Sequence, residues 1–174
     1  MARLLVLPLL ATMAACGTPK AGLSVRVAGL PEGAPLPVRF TADGGDTSPE
    51  IAWSGATGGA KALAVLVEDP DAPGGTFIHW VVYDLPPSSG LAEGRPRTAE
   101  LPGGVRQGLN GFGNLGWNGP APPGGQVHHY VFRVFALSAP TGLGPGATAE
   151  ALLAAMKGRV LAEGRGTGTD RRGR

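Results

Sequence analysis

This sequence predicts a mostly β chain, folded as one antiparallel β-sandwich with a few short peripheral helices. Three observations predict it. Short apolar runs rich in Val, Leu, Phe and Trp recur along the 174 residues, long enough in sum for one real core. The 30 glycines and 17 prolines fall mostly between those runs, where turns belong. Only one stretch carries both a helix start signal and a helix stop signal.

The chain opens with a basic Met1-Ala2-Arg3, an apolar Leu4 to Leu10, and Met13-Ala14-Ala15-Cys16-Gly17. This predicts a secretory signal peptide over residues 1–15. The only cysteine, Cys16, follows it directly, and residues 13–16 resemble a bacterial lipobox with Met13 where Leu is usual. Cleavage before Cys16 and lipid attachment to its sulfur would make an exported, membrane-anchored lipoprotein facing the periplasm or cell exterior. The alternative is an ordinary signal peptide with an incidental cysteine. The apolar stretch is too short and too interrupted by Pro8 to span a bilayer. Residues 16–22 form a tether.

Leu23 to Val27 alternates with period two and predicts the first strand. Pro35 to Phe40 predicts an edge strand, given its prolines. Ile51 to Trp53 is a short strand, and Ala62 to Glu68 a strand covered on both faces. Phe77 to Leu85 is apolar on both faces, as a central strand would be; residues 86–126 are loop-dominated. His128 to Leu137 is the last long strand. Ala149 to Lys157 predicts a helix capped by Thr148 and stopped by Gly158. The folded domain then spans 23–164, and residues 165–174 form a basic, flexible tail.

The net charge of +2 misleads about partners. Residues 165–174 hold four arginines and one aspartate, a contribution of +3, which leaves −1 on the rest. No basic face with interleaved aromatics exists, so nucleic acid is excluded as a partner.

The chemistry lies in two segments. Asp69-Pro70-Asp71-Ala72-Pro73 precedes the strand that holds His79, and Gly116 to Gly124 precedes His128-His129-Tyr130. All three histidines sit here, beside turns able to expose backbone N–H groups, which predicts a small anion pocket. Asp71, His79 and His128 are the expected contacts, with Asp69 and the 116–124 loop beside them. Carboxylates near an anion need a reason, and three stay open. They accept N–H bonds from imidazoles that donate onward; one accepts the proton of a P–OH group; or one meets a ligand ammonium. Gly116 and Gly119 would offer backbone N–H groups at close approach. Asp69 either orients the turn or touches ligand, and Tyr130 either packs or nears it. Alternation turns His129 to the opposite face. Trp117 is a rim aromatic or a packing residue.

These motifs resemble the phosphatidylethanolamine-binding protein family, most closely its small bacterial Raf-kinase-inhibitor-like members. The resemblance rests on Asp69 to Pro73, His79-Trp80, Gly119 to Gly124 and His128-x-Tyr130-x-Phe132-x-Val134. Phe40 to Gly44, Ser48-Pro49, Trp53 and Gln107-Gly108-x-Asn110-x-Phe112-Gly113 extend it over residues 23 to 164. It implies a β-sandwich with a shallow pocket for a phosphate or phospholipid headgroup, mapped onto Asp71, His79, Gly119, His128 and Tyr130. No cofactor and no catalytic residue are expected. One departure matters: Gly164, Gly166 and Asp170 replace the apolar residues and terminal Tyr of the family ending, which predicts a frayed closing strand.

Rival readings have less behind them. Two histidines and an aspartate could form a metal triad, yet no H-x-H or H-E-x-x-H pairing occurs. No G-x-S-x-G elbow or P-loop is present. A protease or kinase inhibitor is an alternative carried by the resemblance alone.

Overall fold

The computed structural model describes residues 22–55, 58–88 and 90–173; the expected signal segment, Cys16 and most of the tether lie outside them. In chain order the strands are β1 (Leu23–Val27), β2 (Ile51–Gly55), β3 (Ala62–Asp69), β4 (Phe77–Leu85), β5 (Gly90–Leu91), β6 (Glu100–Leu101), β7 (Val105–Gln107), β8 (Val127–Leu137) and β9 (Val160–Arg171), with one helix, α1 (Ala149–Met156), before β9. They form a three-stranded sheet ordered β1-β2-β5 and a six-stranded sheet ordered β6-β7-β4-β3-β8-β9. All strand pairs are antiparallel.

Strand alternation divides the apolar residues between two clusters. Leu63, Val65 and Val67 of β3 join Trp80, Val82, Phe132 and Val134 in the core shared with β1 and β2. Ala64 and Leu66 face the other way, with Val81, Tyr83 and Phe135, where Leu152 and Met156 of α1 cover them. The central strands are therefore apolar on both faces, since each face has a layer over it. Thr148 caps α1 by accepting the Ala151 N–H at 3.3 Å, and Gly158 turns the chain at φ +77°.

Two segments depart from the sequence reading. Pro35 to Phe40 is not a strand: it makes one bridge, Pro35 to Thr169, then a 3-10 turn over Val38–Phe40. Pro37 fixes φ at −53° just before that turn and withholds the N–H a ladder would need. The larger correction concerns the supposed tail. Residues 165–171 are the second half of β9, which pairs with β8 from Val127–Arg171 to Leu137–Val160. The domain therefore continues past residue 164 instead of ending there.

Glycines make that strand possible. A Cβ on Gly164 would lie 2.2 Å from the Leu23 carbonyl oxygen, and one on Gly168 would lie 2.6 Å from the Leu36 side chain. Alternate positions of β9 thus have no side chain because β1 and the 31–36 segment lie directly over them. The same segment ties down β9 through Gly33 N–H to Thr167 O and Leu36 N–H to Thr169 O, both 2.8 Å. An edge strand that looked bare in sequence is covered.

Candidate functional site

A cavity of about 230 Å³ opens at one end of the large sheet, lined by Asp69, His79, Phe112, Pro122, His128 and Tyr130 among others. A larger hollow, about 660 Å³, lies against Trp53, Arg26 and Arg95 on the small sheet. No unpartnered buried polar atom lines that hollow, whereas two line the smaller cavity. The smaller one is the candidate site.

Its floor is built from strand ends. Asp69 is the last residue of β3 and is buried. Its Oδ1 accepts the Asp71 N–H at 2.9 Å, closing the turn, and its Oδ2 accepts from His128 Nδ1 at 2.8 Å. Because Nδ1–H is committed to the carboxylate, Nε2 is the free nitrogen of His128, and it is buried without a partner. Tyr130, two residues along the same face of β8, buries its hydroxyl without a partner as well. Burial, reinforced by the negative charges of Asp69 and Asp170, pushes the Tyr130 phenol up, so it stays a neutral donor.

His79 completes the ring. Its Nδ1 donates to the Asn118 carbonyl at 2.6 Å, and its ring packs edge-on against Tyr130 at 5.1 Å. A carbonyl only accepts, so Nδ1 carries the proton and Nε2 keeps a lone pair in the neutral ring. Burial pushes the His79 imidazole below its usual value, against the pull of the Asn118 bond. His79 is therefore a neutral acceptor at neutral pH, and the charged donor expected from the sequence is not found there.

The 116–124 loop serves the site through shape. Gly119 donates its N–H to Asp46 Oδ1 at 2.6 Å, and a Cβ there would lie 2.3 Å from the Phe40 carbonyl oxygen. It is glycine for close packing, and its N–H is already taken. Gly116, at φ +79°, packs against Arg97 and receives Asn110 Nδ2 on its carbonyl at 3.0 Å; it does not line the cavity. Neither glycine offers a ligand the backbone donor predicted of it. Trp117 is a packing residue: buried, stacked on Phe132 and bonded to the Phe40 carbonyl. Ala121, Pro122 and Pro123 form one wall, and Phe112, 55% exposed, stands at the mouth.

Asp71 is the remaining correction. Its Oδ2 accepts both the backbone N–H and Nδ1 of His129, at 2.8 and 2.7 Å, on the exposed face of the sheet. Those bonds hold its carboxyl below the usual range. The end of β3 explains the exchange with Asp69, since alternation alone would have put Asp71 on the same face. The last residue of β3 points in, and the turn residue two positions later is free to swing out to His129. The structure brings together Asp69, His79, His128 and Tyr130; it leaves Asp71, Gly116 and Gly119 outside.

Sequence reasoning overlooked Asp46, Asn110 and Asn118, the network that clamps the loop. Asn110 Nδ2 donates to Asn118 Oδ1 at 2.8 Å, while its own Oδ1 receives the N–H groups of Phe112 and Asn114. Asn110 did stand in a quoted motif, but nothing in its spacing gave it a partner. Among the described residues no cluster of three His, Cys, Asp or Glu could hold a metal ion.

Comparison with known proteins agrees with this architecture. A "UPF0098 protein" of Methanothermobacter thermautotrophicus is 48% identical over 139 residues, covering 79% of this chain and 91% of that protein. A Mycobacterium tuberculosis protein whose name reads "Putative lipoprotein LppC" is 39% identical over 135 residues, covering 74% of this chain and 64% of its own length. The crystal structure of Escherichia coli YbcL, described as a member of the mammalian PEBP family, superposes with a TM-score of 0.78 at 31% identity, covering 86% of this chain and 98% of that one. The family model for phosphatidylethanolamine-binding protein matches residues 28–171, reaching to the end of the glycine-striped β9. By a match that runs from just after β1 to the end of β9, this chain belongs to the phosphatidylethanolamine-binding protein family.

Proposed function

We propose that this protein binds a phosphate-bearing small molecule or phospholipid headgroup without transforming it, and does so while tethered to a membrane through a lipid on Cys16. One observation carries the binding reading. His128 Nε2 and Tyr130 Oη are buried side by side along β8 with no partner, in the lining of an open cavity. Each unmade bond costs about 1–3 kcal/mol, a cost a ligand oxygen would relieve.

The charges around the floor set the chemistry. No Lys or Arg lines the cavity, so an anion is met by hydrogen-bond donors and not by a fixed cation. With Nδ1 held by Asp69, a charged His128 ring presents Nε2–H to the cavity. Tyr130 adds a neutral donor. The lining holds no Ser, Thr or Cys that a histidine could activate, which favours binding over group transfer. The lipid anchor is supported by the sequence around Cys16 and by the name of the mycobacterial relative.

Calorimetric titration with phosphate and with phosphorylethanolamine tests the site. His128→Asn should weaken both by more than tenfold, because a charge-assisted bond of roughly 1.5–3 kcal/mol is lost. His129→Ala and Asp71→Asn, on the outer face, should change affinity less than twofold. Equal binding by the His128 and His129 variants would put the site elsewhere. Mass spectrometry of the protein from its native membrane should find the lipid on Cys16; an unmodified, soluble mature chain would defeat the anchor.

A further inference from the structure

Asp170 has no part in the site as derived so far, yet its position gives it one. In the β8–β9 ladder it stands directly opposite His128, and opposed residues of an antiparallel pair share a face. Gly168 stands opposite Tyr130 in the same way. Among the described residues, four buried side-chain polar atoms lack a partner, and three of them are Asp170 Oδ2, His128 Nε2 and Tyr130 Oη. His128 and Tyr130 are almost wholly buried, at 2% and 0% exposure. Three orphaned polar atoms thus lie on one face of two adjacent strands.

We propose that Asp170 is a further ligand-contacting residue of this pocket, placed to accept the proton of a hydrogen phosphate group and so to select phosphate over sulfate. The assignment rests on the phosphate reading above and deepens it. A hydrogen phosphate monoester carries both an O–H and anionic oxygens. Its anionic oxygens take the bonds offered by Tyr130 and by the charged form of the His128 ring; its O–H is donated to Asp170 Oδ2. Sulfate carries no proton at neutral pH, so its oxygens would face the Asp170 carboxylate with nothing between them.

The surroundings of Asp170 suit a shared proton. Burial pushes its carboxyl up, and Asp43 adds to this; the Arg171 backbone N–H, Arg172 and His128 work against it. Arg172 is not free to neutralise it outright, because its guanidinium is paired with Asp43. Asp69 suits the role less well, since each of its oxygens already accepts a bond, while Asp170 Oδ2 accepts none.

Competition between inorganic phosphate and sulfate, followed by calorimetry near neutral pH, tests the assignment. The wild-type protein should prefer phosphate by tenfold or more. In Asp170→Asn the side-chain amide can turn an N–H toward the anion, so sulfate should gain and the preference should fall at least fivefold. Wild-type protein that binds phosphate and sulfate equally overturns the proposal without need of any variant. A preference for phosphate that survives intact in Asp170→Asn removes Asp170 from the site and leaves the phosphate reading standing. Failure of the wild type to bind either ion overturns the reading of the site, and this assignment falls with it.

Discussion

Asp69 and His128 hold each other in the floor of the pocket, Oδ2 to Nδ1 at 2.8 Å, with both side chains almost out of reach of solvent. The carboxylate also closes the 69–71 turn through its other oxygen. One residue therefore fixes the loop, the orientation of the imidazole and the direction in which Nε2 points.

Asp69→Ala breaks both bonds and should lower stability by about 3–5 kcal/mol, the range for removing one member of a buried pair. Asp69→Asn keeps a carbonyl oxygen for the turn and should lose less. Urea denaturation of the two variants checks the order. Equal losses would show that the charged pair with His128, and not the turn, is what Asp69 supports.

Tyr130→Phe separates function from stability. The hydroxyl has no partner in the empty pocket, so removing it should leave the melting temperature unchanged or higher. Affinity for phosphate should nonetheless drop severalfold. A variant that loses stability and keeps its affinity would show that the hydroxyl is structural.

The buried His79 makes a pH prediction with a definite sign. Its pKa in the folded protein is held below 6.5, chiefly by burial. In acid the unfolded chain binds a proton that folded His79 refuses, so its contribution is full above about pH 6.5 and fades as pH falls below that. His79→Gln carries no such linkage. The stability gap between wild type and variant should therefore narrow between about pH 7 and pH 5 in chemical denaturation. A gap that widens in acid would contradict the neutral assignment of His79.

The glycine stripe of β9 can be tested one position at a time. Gly164→Ala places a methyl 2.2 Å from the Leu23 carbonyl oxygen, a backbone contact that cannot yield cheaply. It should cost about 1–3 kcal/mol or more as β1 is pushed off. Gly166→Ala meets its nearest atom at 3.2 Å and should cost less, and Gly173→Ala, which meets nothing within 4 Å, should cost little. Thermal melts of the three variants should fall in that order.

The failures of sequence reading share a cause with that stripe. β1, β3, β4, β8 and α1 were legible because their apolar residues recur at the period of the element and announce where the core lies. β9 hides its pattern: the inward positions Gly164, Gly166 and Gly168 are filled by neighbouring backbone and side chains instead of their own. Arginines and threonines between them then read as a solvated tail. Two of the three histidines, His79 and His128, line the cavity beside prolines and apolar runs, while His129 pairs with Asp71 on the outer face. The choice between Asp69 and Asp71 was not legible, because it depends on where β3 ends. Gly119 was misread for the reason β9 was: its need for space was visible, but what occupied the space was not.

Because Gly164 and Gly168 exist to let residues 23 to 36 lie across them, the two ends of the domain can close only upon each other. A growing chain holds its first strand for roughly 140 residues before the β9 surface that it lies across has been made. Contacts this distant in sequence form late and slowly. Until residue 168 emerges, β1 can pair only with β2, β8 has an open edge, and the layer that covers β9 has nothing to close upon. A chain destined to cross a membrane unfolded would gain from such a delay, here set by three missing side chains.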